Sequence, residues 1–456
     1  MTRKSPSRLQ RDLAPVHPHA AAVDIGARMH VAAVSPRCDP EPVRTFGTFT
    51  GDLQRLADWF EQCGVTTVAM ESTGVYWIPL YEILTQRGFA VVVNGREVKQ
   101  VPGRKTDVCD AQWLQRLHEY GLLRASFHPQ GEIATLRSYL RQRERLLEAA
   151  AAHIQHMQKA LIQMNLQLQH VVADITGQTG LRIIRAIVAG ERDPDRLAAL
   201  RDGRCKTPLV TLRAALVGND REEHVFALAQ ALELYEIYQT KVAACDERIA
   251  AVLERLQAQN PPPAAALPLP RRAQPQANEP AVPVRAALHA ILGVDLTQID
   301  GIGPYLALKL VSECGPDLAA WPSAQHFTSW LGLAPHNKIS GGKVLSSRTR
   351  RSGSRVAALL RLAAGAVGRT QTALGAFYRR LAARVGKAKA ITATARKIAV
   401  LVYNTLSHGM AYADPGASYY EEHYRQRVLS NLRRRAKSLG YVLEKTEPAS
   451  AAVVVS

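Results

Sequence analysis

The sequence predicts a multidomain protein in which an α/β domain is joined to all-α regions. Three features lead to this fold class. Segments typical of strands and helices alternate between about residues 18 and 124, two long helical segments follow, and a further helical region comes after a proline-rich stretch. Alternating strands and helices build a layered domain, whereas long helical runs build bundles or coiled coils. With 456 residues, 47% of them hydrophobic, the chain can bury the cores of two or three domains.

The α/β domain is expected over residues 18–125, after a basic tail at 1–17. Its strands are AAAVDIGA and MHVAAVSP, which are joined by a tight turn, followed by VRTFGTFT, VTTVAMES and FAVVVNG. Its helices are GDLQRLADWFEQCG, GVYWIPLYEILTQRG and a last one that starts within GRKTDVCDAQWLQRL. The predicted order is therefore three strands, then helix, strand, helix, strand and helix.

Residues 126–258 form the predicted helical middle of the chain. Leu, Ile and Met recur at spacings of three and four over about 130–175 and again over about 223–256. This spacing is typical of the two arms of an antiparallel coiled coil. Shorter helices are expected between the arms.

The remaining chain divides at a segment rich in Pro and Ala, 259–284, which predicts a semi-rigid and largely unfolded linker. A mainly helical domain is expected over 285–410, and a basic helix with a loose tail over 411–456. The stretch IDGIGPYLALKLVSECG resembles a helix-hairpin-helix turn, in which Gly301 and Gly303 leave backbone N–H groups free to approach phosphate. A plain packing corner between two helices explains these glycines equally well.

The net charge of +19 implies a polyanionic partner. Nucleic acid is the first expectation and an anionic membrane surface is the alternative. The apolar runs are too short to span a bilayer, and the N-terminus lacks the apolar core of a secretory signal. Six scattered cysteines without a C-x-x-C pair indicate neither a zinc site nor a disulfide framework. We therefore expect a soluble intracellular protein that binds nucleic acid.

Four carboxylates of the first domain are candidate metal ligands. Asp24 and Glu71 each follow an apolar strand, and Asp107 and Asp110 lie one turn apart at the start of a helix. Taken singly, such acids cap turns or are favoured in a first helical turn. Together they would repel one another unless a divalent cation lay between them, and carboxylate oxygens suit Mg²⁺ or Mn²⁺. Two such ions can assist phosphodiester chemistry.

The C-terminal half has the opposite charge. Between Asp317 and Asp414 there is no Asp or Glu, whereas there are fifteen Lys and Arg residues. This stretch is expected to face phosphates, and it cannot supply a metal site. The two halves of the protein therefore need each other.

Ser340 lies in a basic loop and precedes two glycines. The surrounding cations are expected to contact nucleic acid, and they are Lys338, Lys343, Arg348, Arg350 and Arg351. Glycines permit close approach and arginines stabilise charge at phosphorus, so Ser340 is either a phosphate contact or a nucleophile. Ser346 and Ser347 lack the glycine pair, and no local acid orients His336.

In the first domain, Arg104 and Lys105 are expected to contact a nucleic-acid backbone, with ordinary surface charge as the alternative.

The motifs VDIG, ESTGVYW, GRKTDVCDAQWL and LAPHNKISGGK occur in this order and together resemble the DEDD transposases of bacterial insertion sequences, insertion-sequence family one-hundred-and-ten. The resemblance covers nearly the whole chain. It implies an RNase H-like (RuvC-like) domain with Asp24, Glu71, Asp107 and Asp110 as its acids, and a C-terminal transposase domain with Ser340 as nucleophile. Ile339 stands where the family often has a first serine.

The resemblance also implies a mechanism and partners. Such enzymes are recombinases guided by a structured bridge RNA that pairs with donor and target DNA, and they act as dimers or tetramers in the bacterial cytoplasm, in association with the nucleoid. Ser340 would form a phosphoserine link to a DNA 5′ end, with Mg²⁺ or Mn²⁺ at the acids. The alternatives are a RuvC-like nuclease that uses water and a non-catalytic nucleic-acid-binding remnant.

Overall fold

A computed structural model describes residues 14–71, 74–94, 107–123, 126–271 and 278–444. The side chains of residues 94 and 107–109 are not among those described. The chain forms two compact units, Met1–His128 and Pro129–Ser456. In the described parts of the chain, no helix combines the length and the hydropathy that a membrane crossing requires.

A mixed five-stranded sheet forms the centre of the first unit, which confirms the predicted α/β layer. Its strands are β1 (Ala20–Ile25), β2 (Met29–Ala33), β3 (Val43–Gly47), β4 (Thr67–Glu71) and β5 (Ala90–Asn94). Their order across the sheet is β3-β2-β1-β4-β5. The first three strands pair antiparallel, whereas β1, β4 and β5 are parallel to one another. Helices supply the crossovers that parallel pairing requires.

The two faces of this sheet bury side chains of different sizes, because successive residues of a strand point to opposite faces. Larger side chains such as Val23 and Met70 pack with α1 (Thr50–Gln62) and α2 (Ile78–Gln86) in one core. On the other face, small residues such as Ala22 and Ala69 pack against α3 (Asp107–Glu119). The alanines allow α3 to lie close to the sheet.

Polar contacts determine the direction in which α3 crosses the sheet. His118 Nε2 lies 2.8 Å from the hydroxyl of Thr67, at the start of β4. Gln115 donates a hydrogen bond to the backbone oxygen of Ala20, at the start of β1, over 3.2 Å. Further towards the N-terminus of the helix, Leu114 packs in the cluster of the two sheet alanines. The helix therefore runs antiparallel to β1 and β4, with its first turn at the carboxyl ends of these strands.

The long helices predicted for the middle of the chain are α4 (Gly131–Gln163) and α9 (Glu222–Ala258). They run antiparallel, because residues early in α4 meet residues late in α9. Glu132 pairs with Arg255, and His153 stacks on Tyr238 with ring centres 5.4 Å apart. Supercoiling of the pair stays a prediction.

Four short helices close one end of the pair, namely α5 (Leu168–Val171), α6 (Gln178–Val188), α7 (Pro194–Ala199) and α8 (Leu209–Ala215). They share one hydrophobic core with the ends of α4 and α9. Met157 and Leu161 of α4 and Leu228 of α9 are among its fully buried side chains.

The rest of the second unit contains seven helices and one hairpin within the described residues. The helices are α10 (Val284–Leu292), α11 (Pro304–Cys314), α12 (Ala324–Trp330), α13 (Arg355–Val367), α14 (Ala373–Val385), α15 (Lys387–His408) and α16 (Gly416–Ser438), and the hairpin strands are β6 (Lys338–Ser340) and β7 (Lys343–Ser346). A short 3₁₀ turn, Leu296–Gln298, precedes α11. Ion pairs bind α11 to α4, with Arg141 contacting Glu313 over 2.7 Å and Lys309 contacting Glu144 over 2.8 Å.

The described parts of the predicted linker have no helix or strand, yet they are held in place. Arg285 donates to the backbone oxygen of Pro268 over 2.7 Å, and Arg271 pairs with Asp300 over 2.6 Å. The described part of the predicted linker therefore lacks regular secondary structure but contacts residues of the C-terminal region. Polar side chains from distant elements bind the segment, which its Pro- and Ala-rich composition does not reveal.

One buried ion pair joins the two arms to the C-terminal helices. The Arg143 side chain on α4 is only 3% exposed and pairs with Asp246 on α9. Arg143 also donates to the backbone oxygen of Asn278 over 2.8 Å and to the hydroxyl of Tyr305 on α11 over 3.2 Å. The Asp246 carboxylate accepts a further hydrogen bond from the backbone of Ala281. A single charged pair therefore connects four segments of the chain.

Replacement of Arg143 by Ala is expected to destabilise the second unit by about 3 to 5 kcal/mol, because it leaves the Asp246 carboxylate buried without its counter-ion. The measurement is urea unfolding followed by circular dichroism. Arg145→Ala is the matched control, since Arg145 lies exposed on the same helix and donates a hydrogen bond to Gln142 at the surface. Equal unfolding midpoints for the two variants would contradict the assigned role.

His118 makes the first unit sensitive to acid. Burial, together with the nearby His17, lowers the pKa of His118 from 6.5 to about 4. The unfolded chain therefore binds a proton that the folded chain does not, in the window between these values. Stability contributed by neutral His118 is present above pH 6.5 and is lost as the pH falls towards 4.

The loss of unfolding free energy between pH 6.5 and 4.5 is expected to be about 2 kcal/mol smaller in His118→Gln than in the unmodified protein. The measurement is the unfolding free energy of each protein at several pH values. His19→Gln, at an exposed position in the same unit, is the control and should keep the original pH dependence. Parallel pH curves for His118→Gln and the unmodified protein would show that this residue does not cause the effect.

Candidate functional site

Strand register brings two of the four predicted acids together. Val23 on β1 pairs with Met70 on β4 in parallel register, so the next residues, Asp24 and Glu71, lie side by side at the carboxyl ends of the strands. Adjacent strands are about 4.8 Å apart. Asp24 lies two residues after Ala22, so it is on the sheet face that α3 covers, and the same holds for Glu71. Both side chains are half-buried.

The first turn of α3 lies at the same level of the sheet as this pair. His118 contacts Thr67, four residues before Glu71, which corresponds to roughly 13 Å along the strand. Asp110 precedes His118 by eight residues, or about 12 Å along the helix. Ala111 is fully buried against Val31, the residue that pairs with Asp24. Asp110 is therefore brought to the edge of the sheet where Asp24 and Glu71 lie.

The other predicted residues of this region are only partly described. Asp107 is the first residue of α3, and its side chain lies outside the described part of the structure. Arg104 and Lys105 both lie outside the described residues. The predicted contacts of these two cations with nucleic acid stay predictions.

The donor set at this edge consists of carboxylate oxygens, the ligand type that Mg²⁺ and Mn²⁺ prefer. Among the side chains that the structure describes, no group of three His, Cys, Asp or Glu is close enough to hold a metal ion. The carboxylate of Asp107 is not among these described side chains. The chemistry of the donors fits a hard divalent cation, and three elements of the fold carry them.

Sequence reasoning missed the residues that position α3. Thr67, Gln115 and His118 are buried polar side chains that fix the direction and depth of the helix. The available signal was the spacing of Gln115 and His118, which lie on the same helical face as the buried Leu114. Polar residues on a buried face need partners, and their partners here are at the start of two strands.

Ser340 ends a β-strand, and the expectation of a loop at this position is corrected. It pairs with Lys343 across an antiparallel hairpin, and Gly341 and Gly342 form the two-residue turn. Both glycines have positive φ, 54° and 74°, as a type I′ turn requires. Turn geometry therefore explains the glycine pair. The hairpin presents Ser340 at an exposed position next to the turn.

The two faces of this hairpin differ in polarity. Alternation along β6 puts Lys338 on the same face as Ser340, and Lys343 lies directly opposite the serine. On the other face Ile339 pairs with Val344, and these side chains are 62% and 56% exposed. One face of the hairpin therefore carries Ser340 with Lys343 opposite it, and the other face is apolar and exposed. The pairing of the two strands is irregular between Lys338 and Ile339.

The three arginines predicted to contact phosphate follow the hairpin. Arg348, Arg350 and Arg351 are all exposed. The backbone oxygen of Arg348 accepts a hydrogen bond from His336 over 3.0 Å, which continues the pairing beyond the strands. The hairpin thus carries a local concentration of positive charge. Contact of these cations with nucleic acid stays a prediction.

The packing of the helices explains the glycine at position 301. Its φ is +86°, and a Cβ added there would lie 2.5 Å from Val367 and 2.9 Å from the backbone oxygen of Ala363 on α13. Gly303 is the N-cap residue of α11. The packing-corner interpretation therefore accounts for Gly301, and phosphate binding at the two glycines stays a prediction.

Two family models match separate parts of the chain. Residues 21–166 match the IS110 DEDD family model, described as Transposase, and residues 295–379 match the model described as Transposase IS116/IS110/IS902 family. The first match includes the four acids, and the second includes the Ser340 hairpin. No curated protein matches the chain.

Transposases act on DNA, which they cleave and rejoin, so the comparisons show an enzyme with DNA as its substrate. A DEDD transposase family also implies the use of a divalent metal ion. The two matched regions together span about half of the chain and agree on one family. The chain therefore belongs to the IS110 family of transposases.

Proposed function

We propose that this transposase exchanges DNA strands by transesterification, with Ser340 as nucleophile and with Asp24, Glu71, Asp107 and Asp110 as its acidic centre. The observation that carries the proposal is the parallel register of β1 and β4 together with the direction in which α3 crosses the sheet. It brings acids that are distant in sequence to one edge of the sheet. The strand order β3-β2-β1-β4-β5, with three antiparallel and then two parallel strands, supports an RNase H-like (RuvC-like) domain.

The four acids would hold Mg²⁺ or Mn²⁺. When bound, such an ion polarises the phosphodiester and favours loss of the serine proton. Without a cation, the carboxylates at this edge repel one another, so the same residues also make the edge attractive to cations. Small alanines beneath α3 keep its first turn close to the strand ends.

The proposed reaction at Ser340 balances without an external energy source. The serine Oγ forms a bond to phosphorus, and the bond from phosphorus to the 3′ oxygen breaks. A phosphoserine link to the 5′ end and a free 3′-OH result. The 3′-OH of another strand then attacks the phosphoserine, which restores the phosphodiester and releases the serine. Lys338 and Lys343 are positioned to stabilise negative charge that develops on the phosphate oxygens.

The separation of acidic and basic residues along the chain supports nucleic acids as partners that contact both units. We propose that a guide RNA pairs with donor and target DNA and that the basic helical region binds backbones of both. The absence of Asp and Glu between Asp317 and Asp414 supports this assignment. We further propose that the acids of one protomer act with the Ser340 hairpin of another.

The test of the nucleophile is a search for a covalent protein–DNA adduct on a denaturing gel. Purified protein is incubated with RNA transcribed from its flanking DNA, with labelled donor and target DNA and with Mg²⁺. Ser340→Ala is expected to abolish the adduct, because it removes the attacking oxygen. Ser346→Ala and Ser347→Ala, which change serines nearby in the same basic region, should retain it.

Two outcomes would reject the assignment of Ser340. Cleavage that persists in Ser340→Ala without an adduct would favour a nuclease that uses water. Loss of the adduct in Ser346→Ala alone would identify Ser346, on β7, as the nucleophile. Mixing Asp24→Asn with Ser340→Ala protein should restore some adduct if different protomers supply the two groups, and no restoration would refute the shared site.

The test of the acidic centre uses both binding and stability. Asp24→Asn, Glu71→Gln and Asp110→Asn are each expected to lose the adduct while RNA and DNA binding is retained. Mg²⁺ or Mn²⁺ at a hundredfold excess over its dissociation constant should stabilise the unmodified protein by about 2.7 kcal/mol in thermal unfolding. The variants should lose most of that stabilisation, because they remove a charged ligand.

Glu82→Gln is the matched control, since it removes a carboxylate from an exposed position on α2. It should retain both the adduct and the stabilisation by metal. An unmodified protein that binds nucleic acid but forms no adduct, with no dependence on the four acids, would support the non-catalytic remnant.

A further inference from the structure

The helices α14 and α16 enclose a groove that the proposed chemistry at Ser340 does not use. Its volume is about 740 Å³, and it continues into a second depression of about 440 Å³. Arg380, Glu421 and Tyr424 line both parts. The two helices are also joined by an edge-on contact between Phe377 of α14 and Tyr420 of α16, with ring centres 6.1 Å apart.

The groove has more positive charge than its acids can neutralise. Arg380 pairs with Glu421, and Glu422 accepts a hydrogen bond from a glutamine of its own helix. Arg384 and Arg425 also line the groove, and neither has an acid within ion-pair distance among the described residues. Both side chains are exposed. Two guanidinium groups are therefore available to an anionic ligand.

Aromatic rings of α14 and α16 contact two further cations. The Arg380 guanidinium lies 3.8 Å from the ring centre of Tyr424, and the Lys397 ammonium lies 4.4 Å from that of Phe377. Burial of the Lys397 ammonium, and to a smaller extent the nearby Arg427, lowers the pKa of Lys397. Bases stack on aromatic rings and guanidinium planes, so alternating rings and cations are typical of sites for unpaired nucleotides.

Helix α16 extends this basic surface beyond α14. From residue 423 to residue 443 there is no Asp or Glu, and the cations in this stretch are Arg425, Arg427, Arg433, Arg434, Arg435 and Lys437. Leu432 and Arg435 lie on the helix face that lines the groove, because they follow Val428 at helical spacing. The charge of the whole face is complementary to a nucleic-acid backbone and unsuited to a basic or neutral protein partner.

We propose that the α14–α16 groove binds a single-stranded segment of nucleic acid, with Arg384 and Arg425 on its phosphates and a base against the Arg380–Tyr424 stack. A duplex keeps its bases stacked inside and would use only the charges. The groove site does not depend on serine chemistry, so its test requires neither cleavage nor recombination.

The experiment measures fluorescence anisotropy of the full chain with labelled dT₂₀, U₂₀ and a 20-base-pair duplex over a range of salt concentrations. The double variant Arg384→Gln/Arg425→Gln is expected to bind single strands about tenfold more weakly. The slope of log affinity against log salt should fall by about 1.4, which corresponds to two lost phosphate contacts. Comparing dT₂₀ with U₂₀ shows whether DNA or RNA is preferred.

Arg221→Gln/Arg248→Gln is the matched control, because it removes the same charge from two exposed positions of the same unit, the N-cap of α9 and a site within that helix. Equal weakening by control and groove variants would overturn the proposal in favour of general charge attraction. An equal loss for single strands and duplex would overturn the single-strand assignment. Photo-cross-links from 4-thiouridine in U₂₀ should map to 373–385 and 416–429, and cross-links only elsewhere would refute the site independently of any variant.

Discussion

The organisation of the second unit depends on the buried pair of Arg143 and Asp246. A charged pair withdrawn from water stabilises a fold only when hydrogen bonds satisfy its remaining groups. Here those hydrogen bonds come from Tyr305 of α11 and from two backbone groups of the linker segment, at Asn278 and Ala281. The same interaction therefore aligns the two arms, holds the linker and orients the C-terminal helices. Because each segment satisfies part of the pair, their positions are coupled.

In the first unit, a comparable role belongs to the contact between α3 and the sheet. The strands supply Asp24 and Glu71. The position of Asp110, on α3, depends on residues that have no part in the proposed chemistry. Thr67 and His118 fix the far end of the helix. The neutral form of this histidine is part of the packing, since burial lowers its pKa. The proposed acidic edge therefore depends on a buried polar contact about 12 Å away along the helix.

The two kinds of chemistry are separated along the chain. Carboxylates at the first sheet can attract cations, whereas the helical region around Ser340 contains cations that attract phosphate. A nucleic acid satisfies the second requirement, because its backbone neutralises the basic region. Under the proposed function, a divalent cation held by the acids would satisfy the first and allow a phosphodiester to approach them. The α14–α16 groove adds aromatic rings to this basic surface. In this view, the charge of +19 serves several distinct contacts with one class of ligand.

The sequence by itself determined the elements and the residue types of the site. Apolar periodicity is a local property, so the five strands, the two arms and the acids at the strand ends were predictable. The direction of α3 and the binding of the linker were decided only in the tertiary structure. Each of these depends on partners distant in sequence, such as Gln115 with Ala20 or Arg285 with Pro268. Local pattern cannot reveal such pairs, because hydrogen bonds between distant residues form only when the chain brings them together.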